Sequence, residues 1–290
     1  MSGSRIADGP THGAFFAGAG GLRLAADVLG DSRSPPVVFF PGAGQTRRAW
    51  RRAAGVFANQ GYYVISLDLR GHGDSDWASD GDYSIDAFVG DVLAVIEPSF
   101  APPILVGASI GGIASLIAIG ENAEPLARGL VLVDVVPNMP GEGLDRIRAF
   151  MAAGSGGFAS IDEASAAIAS YLPHRKRPKS GKGLENNLRR GSDGRLYWHW
   201  DPAFHAGSQQ RANRGMLARM EAAASAIRIP TLLVSGARSE AVNREGVEQF
   251  MRLIPQAQWL PVQGAAHMVA GDENDLFTAA VSEFIAQHDA

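Results

Sequence analysis

The chain has 290 residues, 46% of them hydrophobic and 19% charged, which fits one large soluble α/β domain carrying an insertion. Its 26 basic and 30 acidic residues leave a net charge of −4, so no global field favours nucleic acid, and no apolar run is long enough to cross a bilayer. The absence of cysteine removes disulfides, thiolate metal sites and a thiol nucleophile, leaving any covalent chemistry to Ser or Asp.

The first ten residues lack the apolar core of a secretory signal, which sets a cytoplasmic location as the expectation. Two β-rich stretches at 14–17 and 22–29, joined by Gly18-Ala19-Gly20-Gly21, read as an antiparallel hairpin at a sheet edge. The apolar runs Val37-Val38-Phe39-Phe40, 62–67, 104–106, 130–133 and 231–234 then alternate with helix-like segments. Because these runs are continuous rather than alternating, they predict strands buried on both faces of a mostly parallel sheet. The alternation breaks between Pro137 and about Ala224, where Ala-rich helical windows predict an inserted helical cap with no strand. The expected division is a core of 1–137 and 225–290 with a cap of 138–224. A last strand near Gln258-Trp259-Leu260 precedes a loop and a closing amphipathic helix over 273–287.

In an open α/β sheet the active-site rim is formed by loops at the C-terminal strand ends. Pro41-Gly42-Ala43-Gly44 follows one strand, and Asp68-Leu69-Arg70-Gly71-His72-Gly73-Asp74-Ser75 follows the next. Gly107-Ala108-Ser109-Ile110-Gly111 sits between the run 104–106 and a helix-like stretch over 112–119, on a turn that lifts a serine hydroxyl clear of the sheet. Glu240 and His267 follow the two last strands. A serine needs an imidazole to take its proton, and the imidazole needs a carboxylate to hold its tautomer, so Ser109, Glu240 and His267 read as nucleophile, acid and base. The amides of Ala43 and Ile110 would meet the oxyanion. In the cap, Tyr197-Trp198-His199-Trp200 gathers aromatic surface; Trp198 and Trp200, with Met139, Phe150, Met151 and Phe158, are candidate substrate contacts, as is Met268 beside His267. His72 reads as a structural brace, and Asp68 and Arg70 as an internal ion pair. The basic run 174–179 reads as a solvated face. No metal-site spacing or phosphate-binding loop occurs, and Gly18-Ala19-Gly20-Gly21 is not a dinucleotide fingerprint; no cofactor is expected, only a small-molecule partner.

Four segments together resemble the α/β-hydrolase superfamily: Phe40-Pro41-Gly42-Ala43-Gly44-Gln45, 68–75, Gly107-Ala108-Ser109-Ile110-Gly111-Gly112 and Gly264-Ala265-Ala266-His267-Met268-Val269. The resemblance implies an α/β-hydrolase fold and a capped enzyme like bacterial esterases and cofactor-independent haloperoxidases. Epoxide hydrolases and haloalkane dehalogenases carry Asp where Ser109 stands. The superfamily often has His at the place of Pro41 and usually Asp at the place of Glu240, and it also uses an acid at the position of Asp134, so Asp134 is the alternative to Glu240. The activity implied is hydrolysis of an ester, thioester or lactone through an acyl-enzyme. Carbon–carbon bond hydrolysis, perhydrolysis or lyase chemistry on the same triad, and a non-catalytic receptor, are the alternatives.

Overall fold

In a computed structural model, residues 12–96, 101–171, 182–185, 187–206, 214–263, 265 and 274–288 are described. The edge hairpin forms as its sequence predicts, with β1 (His12–Ala17) antiparallel to β2 (Arg23–Leu29). Then come β3 (Pro36–Phe40), α1 (Arg51–Asn59), β4 (Tyr63–Leu67), α2 (Ile85–Val95), β5 (Ile104–Ala108), α3 (Ser109–Gly120) and β6 (Gly129–Val133). Between β6 and the next strand of the sheet lie α4 (Gly141–Ala152), α5 (Ile161–Tyr171), α6 (Lys182–Glu185), β7 (Leu188–Arg190), β8 (Leu196–Trp198), α7 (Pro202–Ala206) and α8 (Arg214–Ala226). The chain ends with β9 (Thr231–Gly236), α9 (Arg244–Leu253), β10 (Gln258–Val262) and α10 (Asn274–Gln287).

Eight strands form one sheet in the order β1-β2-β4-β3-β5-β6-β9-β10, parallel from β4 onward in that order. β3, β5, β6 and β9 are buried at every position, as continuous apolar runs require when helices cover both faces. Alternate residues serve two cores. Val38, Phe40 and Leu105 join the core beneath α2, α3 and α8, whereas Val37, Phe39 and Val106 face Trp50, Phe57 and the α10 residues Phe277 and Val281.

The intervening segment differs from the helical expectation in two ways. It contains a short antiparallel hairpin, β7 with β8, which Phe158 extends by a bridge to Leu196. Three-residue strands are too short for a periodic signal to stand out in sequence. In addition, α8 packs on α3 so tightly that a Cβ at Gly120 would lie 2.3 Å from the Ala223 carbonyl oxygen, so this helix also serves the sheet layer. Among the described residues no helix is long and apolar enough to cross a membrane.

Glycine sets the approach of α3 to the sheet. A Cβ at Gly111 would stand 2.6 Å from the carbonyl oxygens of both Phe40 and Pro41, and one at Gly107 would stand 2.6 Å from Gly112 Cα. Gly111→Ala should therefore destabilise the fold by roughly 2 kcal/mol or more through forced backbone displacement. Gly55→Ala, inside α1 with nothing within 4 Å of the new methyl, should instead stabilise it by about 0.5–1 kcal/mol. Urea unfolding of the two variants checks the contrast; equal effects would remove the steric account.

Candidate active site

Register brings the relevant strand ends together. Ala108 pairs with Val133 and Val133 with Val234, so Ser109 and Asp134 are the next residues on adjacent parallel strands, roughly 5 Å apart in strand spacing. Both have left-handed backbone without being glycine, with φ of 46° at Ser109 and 53° at Asp134. Such a conformation costs of order 1–3 kcal/mol and persists only where surrounding structure enforces it. At Ser109 the enforcement comes from the strand-to-helix turn crowded by Gly107, Gly111 and Gly112. Ser109 is half-buried, and no side chain caps the start of α3, so its first-turn amides, including that of Ile110, meet no capping oxygen from Ala108.

The two candidate acids occupy different environments. Asp134 is 1% exposed; its Oδ1 accepts from the Gly236 amide at 3.1 Å and its Oδ2 from the Ser239 hydroxyl at 2.5 Å. The Ser239 oxygen in turn accepts from the amides of Ala241 and Val242, so this carboxylate is held in a continuous polar network. Glu240 is at the surface, with about half of its side chain exposed, and pairs with Arg146 of α4. Ser239 has no counterpart among the sequence candidates, because a lone serine after a strand carries no signal. His267 and Met268 lie outside the described residues. β10 runs parallel to β9 and ends at Val262 opposite Gly236, and the Ala265 carbonyl accepts from the Arg238 amide just beyond β9.

Two cavities flank Ser109. One of about 390 Å³ is lined largely by Ile85, Ile113, Met139, Met151, Met216 and Met220, with Ser109, Ala43 and Ile110 at its base. The other, about 120 Å³, is lined by Phe150, Tyr171, Trp198 and Trp200 and shares Ser109, Ala43 and Met151 with the first. Met139 thus borders the first of these spaces next to Ser109, and Trp198 and Trp200 border the second. Trp198 and Trp200 stack at 5.0 Å, and Trp198 Nε1 donates to the Ala153 carbonyl at 2.7 Å. Phe158 packs edge-on against Trp198 and is buried behind the wall. Burial pushes the Tyr171 phenol up to about 12, keeping it a neutral donor.

The loop after β4 is stitched by charges that do not pair as expected. Asp68 and Arg70 each sit in an ion pair, but with other partners: Asp68 with Arg47, and Arg70 with Asp91 through two bonds of 2.6 and 2.7 Å. Arg47 and Asp91, each 21 residues away in the chain, are brought against these two side chains by packing, so sequence proximity misassigned the partners. His72 is fully buried, 4.8 Å edge-on from Phe204, with Nδ1 3.0 Å from the Arg70 carbonyl. His199, which sequence reading grouped only with the aromatic cluster, connects the segment after β8 to two loops of the core. The Gly73 amide donates to its Nδ1 at 2.8 Å, and its Nε2 lies 3.3 Å from the Gly44 carbonyl oxygen. Next to it, Asp201 receives the Tyr83 hydroxyl at 2.5 Å, and its amide donates to the Gly71 carbonyl. The basic run 174–179 lies outside the described residues; nearby Arg189 stacks over Trp77 and Tyr197.

Comparison with known proteins places this geometry in context. The profile of the Alpha/beta hydrolase family matches residues 37–280. The 2-(acetamidomethylene)succinate hydrolase of Mesorhizobium japonicum is 26% identical over 271 residues, covering 91% of this chain and 92% of that protein. An esterase of Mycobacterium tuberculosis is 27% identical over 248 residues, covering 83% and 79%. Among solved structures, that of an E-2-(acetamidomethylene)succinate hydrolase superposes with a TM-score of 0.83 at 25% identity, covering 96% of this chain and all of the other.

Burial lowers the His199 pKa from 6.5 to about 4, against smaller opposing contributions from the Gly44 carbonyl and the Asp74 charge. Between these values the unfolded chain binds a proton that the folded chain does not. Stability from this group is therefore complete above about pH 6.5 and is lost as pH falls toward 4, by roughly 3 kcal/mol in all. Urea midpoints measured from pH 7 to pH 4 should fall less steeply in His199→Gln than in the parent; identical slopes would remove His199 as the cause.

Proposed function

Because the chain belongs to the alpha/beta hydrolase family, we propose that it is a serine hydrolase cleaving an ester, thioester or lactone of a small, largely apolar substrate. The observation that carries this reading is the strained Ser109, its backbone at φ 46° on the strand-to-helix turn, beside two cavities walled largely but not wholly by apolar side chains. Relatives named as hydrolases and an esterase support the same class.

In this reading His267 takes the Ser109 proton as Oγ attacks the substrate carbonyl carbon. The carbonyl oxygen gains the negative charge, and the Ala43 and Ile110 amides receive it, the latter with the field of the α3 N-terminus behind it. Collapse of the tetrahedral intermediate expels the alcohol or thiol, which takes the proton from His267. Water then repeats the sequence on the acyl-enzyme and releases the acid. Asp134 serves as the acid that orients His267, in preference to Glu240. A carboxylate that is 1% exposed and held by two donors is fixed in place and shielded from solvent screening, whereas one half in solvent and paired with Arg146 exerts a screened field on its neighbours. The methionine-rich cavity accepts a flexible apolar group, and the smaller aromatic one a compact group, on either side of the scissile bond. The 138–224 segment acts as the cap that supplies most of both walls.

Ser109→Ala should lower kcat for a p-nitrophenyl ester by roughly a thousandfold or more with little change in thermal stability, and fluorophosphonate should label Ser109 alone. Turnover undiminished in that variant would end the serine-hydrolase reading. Asp134→Asn should cost about two to four orders of magnitude in kcat, and Glu240→Gln less than about fivefold, each corrected for folded fraction. The opposite ranking would return the acid to Glu240.

A further inference from the structure

His199 is 6% exposed and has no part in the hydrolytic scheme above, yet both of its ring nitrogens are engaged. A backbone amide can only donate, so the Gly73 N–H at 2.8 Å requires Nδ1 to be bare. The proton of the neutral ring is therefore on Nε2 and is donated to the Gly44 carbonyl at 3.3 Å. That carbonyl belongs to the Gly44–Gln45 peptide unit, whose N–H donates to the Gly42 carbonyl at 3.1 Å. The Gly42 carbonyl in turn shares a peptide unit with the Ala43 N–H. All described peptides are trans, so in each unit the C=O and N–H point in opposite directions, and fixing one end fixes the other.

We propose that His199 is a positioning residue for the oxyanion site, aiming the Ala43 amide at the developing oxyanion beside Ser109 through two hydrogen-bonded peptide units. The inference rests on the Ser109 reading and adds a role to a side chain of the intervening segment.

Three further observations support the relay. The Gln45 side chain accepts from the Gly42 amide at 3.0 Å, which braces the same loop from its other face. Gly44 has a φ of 73°, and a Cβ there would lie 2.9 Å from Met151 Sδ and 3.3 Å from the Trp200 ring, so the loop has no room to swing toward the insertion. Gly42 itself is close to the nucleophile, with 3.3 Å between a Cβ placed there and Ser109 Cβ. Hydrogen bonds in series polarise one another, which makes the terminal N–H a better donor as well as a fixed one. The imidazole also packs edge-on against Trp200 at 5.2 Å and near His72 at 5.8 Å, which holds its ring plane. Asp74 is the nearby charge, and burial keeps the ring neutral through the neutral pH range, so the relay persists where the enzyme would work.

Two amide substitutions separate the two bonds. Asparagine places its oxygen where Nδ1 stands and keeps the Gly73 bond while losing Gly44; glutamine reaches the Nε2 position and keeps Gly44 while losing Gly73. Steady-state kinetics on a p-nitrophenyl ester, with active enzyme counted by fluorophosphonate titration, should show His199→Asn lowering kcat roughly 10- to 100-fold with KM within about threefold. His199→Gln should stay within about fivefold of the parent. Binding of an alkylboronic acid, which forms a tetrahedral anion on the serine, should weaken in His199→Asn by the same factor as kcat, while binding of the product carboxylic acid is unchanged. A merely structural role would rank activity by thermal stability in both variants, and that ranking, or a parental kcat in His199→Asn, would overturn the proposal. Retained turnover in Ser109→Ala would overturn the underlying reading instead, so the two failures are distinguishable.

Discussion

The close approach of the first turn of α3 to the end of β3 is the constraint from which the candidate site follows. A side chain at Gly111 would occupy the space of two carbonyl oxygens, and Gly107 and Gly112 touch each other across the turn. With those three positions empty of side chains, the helix can start immediately after β5, and Ser109 is driven into left-handed backbone at its tip. The same proximity brings the loop 41–45 against the serine. The candidate nucleophile and the loop proposed to supply an amide donor are thus products of one packing decision.

Buried charge holds the loop after β4 against the sheet and the insertion. Arg70 and Asp91, with side chains 4% and 5% exposed, form a two-bond pair, and Arg47 gathers Asp27, Asp68 and Asp74. Such pairs give little net stability after desolvation, but removing one partner leaves an uncompensated charge, so they favour one arrangement of loops over others. Tyr83 with Asp201, and His199 with Gly73 and Gly44, continue that polar stitching into the segment between β6 and β9. Because the insertion is joined to the core by directional bonds as well as by apolar contact, the cavity walls and the loop beside Ser109 keep a defined relation.

The elements that sequence placed well are those whose signal is local. The runs 37–40, 104–106, 130–133 and 231–234 became strands within one or two residues because continuous apolar stretches can only be satisfied between two helical layers. The edge hairpin and the Ser109 turn also emerged as read, since glycine clusters report on backbone demands directly. The hairpin β7–β8 escaped notice, as did the second duty of α8, because neither short strands nor shared helices leave a distinct pattern.

What the sequence alone determined, then, is the layered α/β architecture and the candidacy of Ser109, both of which rest on the local chemistry of apolar runs and glycine-bounded turns. Tertiary structure decided which carboxylate is buried beside the serine strand: Asp134 and Glu240 are equivalent as letters, but only the first lies enclosed between β5 and β9 with amide and hydroxyl donors around it. It also decided that Asp68 and Arg70 face different partners, and that a histidine within an aromatic quartet bridges Gly73 to Gly44. Burial and hydrogen-bond partnership between residues as far apart as 44 and 199 depend on how elements pack, and no periodicity along the chain encodes that separation.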